Sequence, residues 1–190
     1  MEISAWNDRY RTGDRAAGDL EPSPNPLLAD TAAKLPPGKA LDLACGTGRN
    51  AVWLAERGWQ VTAVDGASAA IELLHQRAAA RGVSVEAHVA NLEKNEFRIE
   101  PAAWDFIAMC FYLQVSLFEP SKRGLRPGGI VLVIVHITAP DEKPTEHRLR
   151  PSELKNYFSD FEILHYREGA PNDPAHKRLC AELVARRPTS

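Results

Sequence analysis

The sequence predicts an α/β fold with a seven-stranded, mostly parallel sheet, and three observations carry that prediction. From residue 39 onward, short apolar and β-branched runs alternate with segments of helical spacing, the rhythm of successive β-α units. The run IVLVIVHI, residues 130–137, is apolar without alternation, as a parallel strand covered on both faces must be. At the end, FEILHYREG and KRLCAELVARR follow one another across the turn-rich APNDPAH with no helix between them, which points to an antiparallel hairpin closing the sheet.

Each element has its own warrant. Residues 1–26 mix charge, glycine and proline and read as an arm: a short helix, then an irregular segment. Trp6 and Tyr10 stand one helical turn apart on it, placed either to close over a ligand or to pack on the sheet. PLLADTAAKL has helical spacing and stops at Pro36-Pro37-Gly38, which cannot continue a helix. Lys39 to Leu43 is the first strand. NAVWLAERG places Ala51, Val52, Leu54 and Ala55 on one stripe, with Gly58 as its stop. Gln60 to Val64 is β-branched and runs into Asp65-Gly66, and ASAAIELLHQRAAARG reads as the next helix, ending at Gly82. VSVEAHVA is a third strand pattern, NLEKNEFRIEPAA a polar loop and WDFIAMCF a fourth strand. A helix is expected within Gln114 to Gly124, LRPGG is expected as a turn, and TAPDEKPTEHRLR as a loop before a short helix from Pro151.

Composition narrows the function classes. The chain of 190 residues suits a single domain, taken as residues 27–190 after the arm. Lys and Arg number 23 against 25 Asp and Glu, for a net charge of -2, without the basic excess that a phosphate-backbone binder needs, so nucleic acid is not an expected partner. The N-terminal stretch lacks the apolar core of a signal peptide and no apolar run approaches membrane-spanning length, so a cytoplasmic protein without membrane association is expected. Cys45, Cys110 and Cys180 are odd in number, widely separated and set in apolar surroundings, which reads as three buried thiols rather than disulfides or metal ligands; no metal is expected.

The chemistry concentrates in LDLACGTGRN, residues 41–50, where a strand, a glycine turn and a helix succeed one another. The absent side chains let a ligand approach the backbone, and in open α/β sheets ligands bind at the carboxyl ends of the strands. Asp65 ends the second strand, and an ionised carboxylate there accepts two hydrogen bonds, which suits the two hydroxyls of a ribose. A nucleoside cofactor is implied. Gly46, Gly48 and Ala51 also satisfy the G-x-G-x-x-G/A dinucleotide pattern, so an NAD(P)-dependent oxidoreductase is one reading. Asp42, four residues before Gly46, favours S-adenosylmethionine: its charge could meet the amino group of a methionine moiety and would repel a pyrophosphate.

LDLACGTGRN, VDGAS, WDFIAMCFYL and LRPGGIVLVIV, in this order and spacing, resemble the class I S-adenosylmethionine-dependent methyltransferases. Within them the resemblance is to the small bacterial group of tellurite-resistance and thiopurine-type enzymes, and WNDRY and PNPLL resemble that group's entry segment. The resemblance implies a three-layer Rossmann-like methyltransferase fold with strand order 3-2-1-4-5-7-6 and strand 7 antiparallel. It implies methyl transfer from S-adenosylmethionine, with S-adenosylhomocysteine as product. It puts Asp42, Ala44, Cys45, Gly46 and Gly48 around the methionine part, Asp65 at the ribose and Gly66 with Ala67 beside the adenine. An acidic residue often accepts from the adenine amino group; the matching position is Asn91, followed by Leu92, and its amide oxygen is expected to accept instead. Ala44 replaces the first glycine of the group's triplet, a mild change. Met109, Cys110 and Phe111, at the end of the fourth strand, would pass under the sulfonium, with Tyr112 and Gln114 on the substrate side.

Catalytic candidates are Tyr112, His136 at the end of the fifth strand and His147 in the following loop, the histidines because an imidazole could take a proton from a nucleophile. Cys45 lacks a neighbouring base and is expected to pack. The acceptor is expected to be a small molecule, since the chain shows no basic patch and no appended recognition domain. A non-catalytic cofactor binder is the reading from another class, because binding residues are legible where a general base is not.

Overall fold

The computed structural model describes residues 3–12, 23–139, 141–143, 145, 147–174 and 176–189. The irregular half of the expected arm, residues 13–22, lies outside them. The seven strands follow the order β3-β2-β1-β4-β5-β7-β6, the order implied by the resemblance. The chain divides into two compact units, Met1–Arg98 and Ile99–Ser190.

The first unit contains helices α1 (Ile3–Thr12), α2 (Pro26–Ala32), α3 (Arg49–Ala55) and α4 (Ser68–Ala80) and strands β1 (Lys39–Leu43), β2 (Gln60–Asp65) and β3 (Glu86–Val89). β1 and β2 pair in parallel with Asp42 opposite Ala63, and β2 pairs in parallel with β3 with Asp65 opposite Val89. Leu41, Leu43, Ala63 and Val64 are fully buried, so Asp42 lies inside an apolar layer. α2 opens with Asn25 as its cap, the side chain accepting from the Leu28 N–H at 3.2 Å, and with Pro26 in the first turn. The Asn25 N–H donates to the Asn50 Oδ1 at 2.8 Å, which fixes the entry segment to the start of α3.

The second unit contains α5 (Phe118–Gly124), α6 (Glu153–Tyr157), β4 (Trp104–Cys110), β5 (Leu125–His136), β6 (Glu162–Gly169) and β7 (Cys180–Arg186). β4 and β5 are parallel, and β7 is antiparallel to both β5 and β6, which is the expected hairpin. Ile130 through Val135 are buried on both faces, as their composition requires.

Two elements differ from expectation. LRPGG is not a turn between elements but the start of β5: the register steps from Trp104 opposite Leu125 to Phe106 opposite Ile130, so the extra residues form a bulge. Pro127 lacks an N–H and Gly128 sits at φ +80°, the chemistry of a turn, yet the ladder resumes beyond them. The helix expected within Gln114 to Gly124 opens as a 3₁₀ turn, Val115–Leu117, before α5. Cys45 and Cys180 are buried as expected, whereas Cys110 is only half-buried.

Candidate functional site

Asp42 has 1% of its surface exposed, and its Oδ2 has no hydrogen-bond partner among the described residues. Burial pushes its pKa up to about 7, and the charge of Asp65 acts in the same direction; Arg49 and the Ala51 N–H pull the other way. A buried acceptor without a donor needs an explanation, and an arriving ammonium group is the partner that would both satisfy Oδ2 and keep the carboxylate ionised.

The loop after β1 is built for close approach. Ala44 at φ +54°, Gly46 at +54° and Gly48 at +73° are all left-handed. The Gly48 N–H closes the turn on the Cys45 oxygen at 3.0 Å, and the Cys45 N–H binds the Val64 oxygen at 3.1 Å. A side chain at Gly48 would strike Leu74 of α4 at 2.4 Å. The Cys45 thiol is pushed well above its usual range by burial first, then by Asp65 and Asp42, so it stays protonated and packs, as expected.

Asp65 is not the open strand-end acceptor that its position suggests. Its Oδ2 accepts from the Gly46 N–H at 2.8 Å and its Oδ1 from the Ala67 N–H at 2.9 Å, so it ties the two loops together. The strand ends also bring Asn91 here, because the Ala90 N–H donates to the Asp65 carbonyl at 3.0 Å. The amide oxygen of Asn91 is already committed: it accepts from the Glu93 N–H at 2.9 Å and the Lys94 N–H at 3.2 Å, heading the 3₁₀ turn Leu92–Lys94. Both partners are donors, so this atom is the oxygen and the group left over is Nδ2, a donor. The expectation that the oxygen would serve an adenine amino group is corrected accordingly. Leu92 is buried below.

α1 lies against these loops. The Tyr10 hydroxyl is 2.9 Å from where a Gly46 Cβ would stand, and Ile3 Cδ1 is 2.6 Å from the corresponding point on Gly66. The Asn7 Oδ1 accepts from the Ala69 N–H at 2.9 Å and the Ser68 hydroxyl at 3.2 Å, capping α4, whose own cap position is Ala67 and has no side-chain bond. The spacing of Trp6 and Tyr10 pointed to this helix, and WNDRY takes in Asn7 without giving it a role; nothing in the sequence singled out Ile3.

The remaining candidates belong to the second unit. Cys110 ends β4, and the next residue, Phe111, is held at φ +58°, an outlier for an aromatic residue. Phe111 stacks on His176 with ring centroids 3.4 Å apart and lies 5.4 Å from His136. His136 closes β5 half-buried, with Nδ1 unpartnered among the described residues, and burial lowers its pKa, which favours the neutral, proton-accepting imidazole. The Tyr112 hydroxyl donates to the Gln114 Oε1 at 2.6 Å, and His147 stands in an exposed turn. Phe111 was expected at the strand end, whereas its left-handed backbone and its partner His176 were missed by sequence reasoning; a strained backbone and a ring stack leave no spacing to find.

The family model described as "Tellurite resistance protein TehB" matches residues 26–177. The chain belongs to the TehB family. A Haemophilus influenzae relative, described as a probable S-adenosyl-L-methionine-dependent methyltransferase TehB, is 27% identical over 150 residues, 74% of this chain and 52% of its own length. The chain spans about half the length of the curated relatives it matches. The crystal structure of TehB from Haemophilus influenzae superposes with a TM-score of 0.73 at 25% identity, covering 84% of this chain and 61% of that one. A Burkholderia thailandensis 1,6-didemethyltoxoflavin-N1-methyltransferase, crystallised with 1,6-didemethyltoxoflavin and S-adenosylhomocysteine, superposes with a TM-score of 0.70 at 20% identity over 98% of this chain and 87% of its own, a likeness of fold.

The donor set in the Met1–Arg98 unit fits the cofactor: a buried carboxylate oxygen of Asp42, unpartnered among the described residues, for an amine, and an open glycine turn for close approach to the backbone. No helix among the described residues is long and apolar enough to cross a membrane.

Proposed function

We propose that this chain is an S-adenosylmethionine-dependent methyltransferase acting on a small-molecule acceptor, with residues 27–190 as its catalytic domain and α1 as a roof over the cofactor. The observation that carries the reading is the unpartnered Oδ2 of buried Asp42 beside a glycine turn tied to Asp65. When bound, the cofactor supplies an electrophilic methyl group on a sulfonium. Asp42 would hold the methionine ammonium, while Ala44, Cys45, Gly46 and Gly48 leave the backbone open to the methionine portion. Asp65 would accept from the ribose hydroxyls, and Gly66, Asn91 and Leu92 would flank the adenine. Cys110 would lie under the sulfonium. Ile3 and Tyr10 would exclude water from above, so that most of the acceleration comes from holding the reactants in line. Among Tyr112, His136 and His147, the half-buried His136 is the best placed to take a proton from an acceptor, because burial already favours its neutral form.

The Burkholderia enzyme, whose structure holds a small heterocyclic acceptor, supports a small molecule here. A dinucleotide is disfavoured because its pyrophosphate would face Asp42. S-adenosylhomocysteine is expected to raise the melting temperature and NAD or NADP to leave it unchanged. A screen of thiol, selenium, tellurium, amine and phenol acceptors, read by S-adenosylhomocysteine release, then separates an enzyme from a non-catalytic binder. A shift with NAD and none with S-adenosylhomocysteine would overturn the reading.

A further inference from the structure

Within the Met1–Arg98 unit, a ring of contacts runs through the loops after β1 and β2 and closes on α1. The Asn7 Oδ1 accepts from the Ala69 N–H at 2.9 Å and from the Ser68 hydroxyl at 3.2 Å. Just before that turn, the Ala67 N–H donates to the Asp65 Oδ1 at 2.9 Å, and the Asp65 Oδ2 accepts from the Gly46 N–H at 2.8 Å. Gly46 in turn lies against the Tyr10 hydroxyl, and Gly66 against Ile3. The helix that covers both loops is thereby fastened to the start of α4, the element into which one of them runs.

Asn7 supplies what α4 lacks. The first N–H groups of a helix have no partner within it, and a Ser, Thr, Asp or Asn at the cap position ordinarily accepts from them. Here that position is Ala67, which has no side-chain acceptor, and the oxygen comes instead from 62 residues away. Such a fastening can be undone. No residue of α1 is buried, so no core side chain has to leave the interior when the helix lifts, and water can replace Oδ1 at the end of α4. Closure of α1 and satisfaction of the first turn of α4 are therefore one event, adjoining the loop that Asp65 ties to Gly46.

We propose that Asn7 is a latch, a positioning residue whose release from α4 lifts α1 and sets the rate at which the cofactor enters and leaves; this rests on the methyltransferase reading above. The latch holds α1 down in the free and in the loaded protein alike, so its loss speeds both steps and leaves their ratio nearly unchanged. The test mixes the intact chain with S-adenosylhomocysteine by stopped flow and follows tryptophan fluorescence, Trp6 standing on α1 itself. Asn7→Ala is expected to raise the entry and exit rates by about fivefold each, the change in open population that loss of one cap gives, with Kd within about twofold of the parent. Asn7→Asp, which keeps an acceptor for the Ala69 N–H, is expected to exchange the ligand at the parent's rates. A residue that only stabilised the fold would speed exit alone and weaken binding. Unchanged or slower entry in Asn7→Ala, or exchange in Asn7→Asp as fast as in Asn7→Ala, would each overturn the proposal. Failure of S-adenosylhomocysteine to bind the parent protein would instead remove the methyltransferase reading on which it rests.

Discussion

Asp42 is a residue whose placement costs stability and whose reward is a ligand. Its folded pKa stands at about 7 against an ordinary 3.8, so between these values the folded chain holds a proton that the unfolded chain has lost. Stability therefore falls as pH rises through that window and levels off above it. Asp42→Asn removes the buried charge and is expected to be more stable than the parent by about 2–4 kcal/mol near pH 8, and by little near pH 4. Urea unfolding at the two pH values checks this; equal gains at both would mean that the carboxyl is not the source. Ala44 shows a smaller conflict of the same kind. Its left-handed backbone costs an L-residue about 1–2 kcal/mol. Glycine adds about 0.5–1 kcal/mol of chain entropy to the unfolded state, so Ala44→Gly is expected to gain about 0.5 kcal/mol by the same measurement. Asn91→Asp keeps the cap on Glu93 and Lys94 and replaces the donor Nδ2 by a second acceptor, so tighter S-adenosylhomocysteine binding is expected by calorimetry. Weaker binding with the fold intact would show that Nδ2 donates to the ligand.

At the scale of elements, α1 is the piece that can move. A helix of 10 residues with no buried side chain has little stability of its own, and it stays in place through Asn7, Ile3 and Tyr10. Asn7→Ala removes the cap on α4 and the anchor of α1 together. It is expected to cost about 1 kcal/mol and to raise hydrogen exchange over Ile3–Thr12, with S-adenosylhomocysteine restoring part of the protection. The element also shows what a sequence can reveal. β1, β2 and β5, the glycine turn and the closing hairpin were legible because a buried strand and a tight turn are local in composition. The bulge at Pro127 and Gly128 was not, since a turn dipeptide reads the same whether or not a ladder resumes beyond it. The cap that Asn7 supplies to Ser68 and Ala69 comes from a distant helix and has no fixed offset to search for. Asn91 was placed correctly at the strand end, but its oxygen went to the backbone, because a short side chain at a helix start finds a local N–H first.

For the whole molecule, ligand, proton and fold share one equilibrium, and that makes the cofactor identifiable by pH. In the free protein Asp42 is protonated below about pH 7, so holding an ammonium there requires the proton to leave. Affinity for S-adenosylhomocysteine is then expected to fall by up to about tenfold for each unit of pH below that value. A ligand at a hundredfold excess over Kd stabilises the folded state by about 2.7 kcal/mol, and about 1 kcal/mol moves the midpoint of a chain this size by about 2–4 °C. The melting shift given by a fixed concentration of S-adenosylhomocysteine should therefore be several degrees larger at about pH 7.5 than at about pH 5.5, a range in which the ligand amine keeps its proton. Asp42→Asn should give a smaller shift that no longer depends on pH, because no proton has to be displaced. The variant distinguishes this from titration elsewhere: a pH dependence that survives Asp42→Asn would assign it to another group, and equal shifts at both pH values in the parent would mean that Asp42 does not meet the amine.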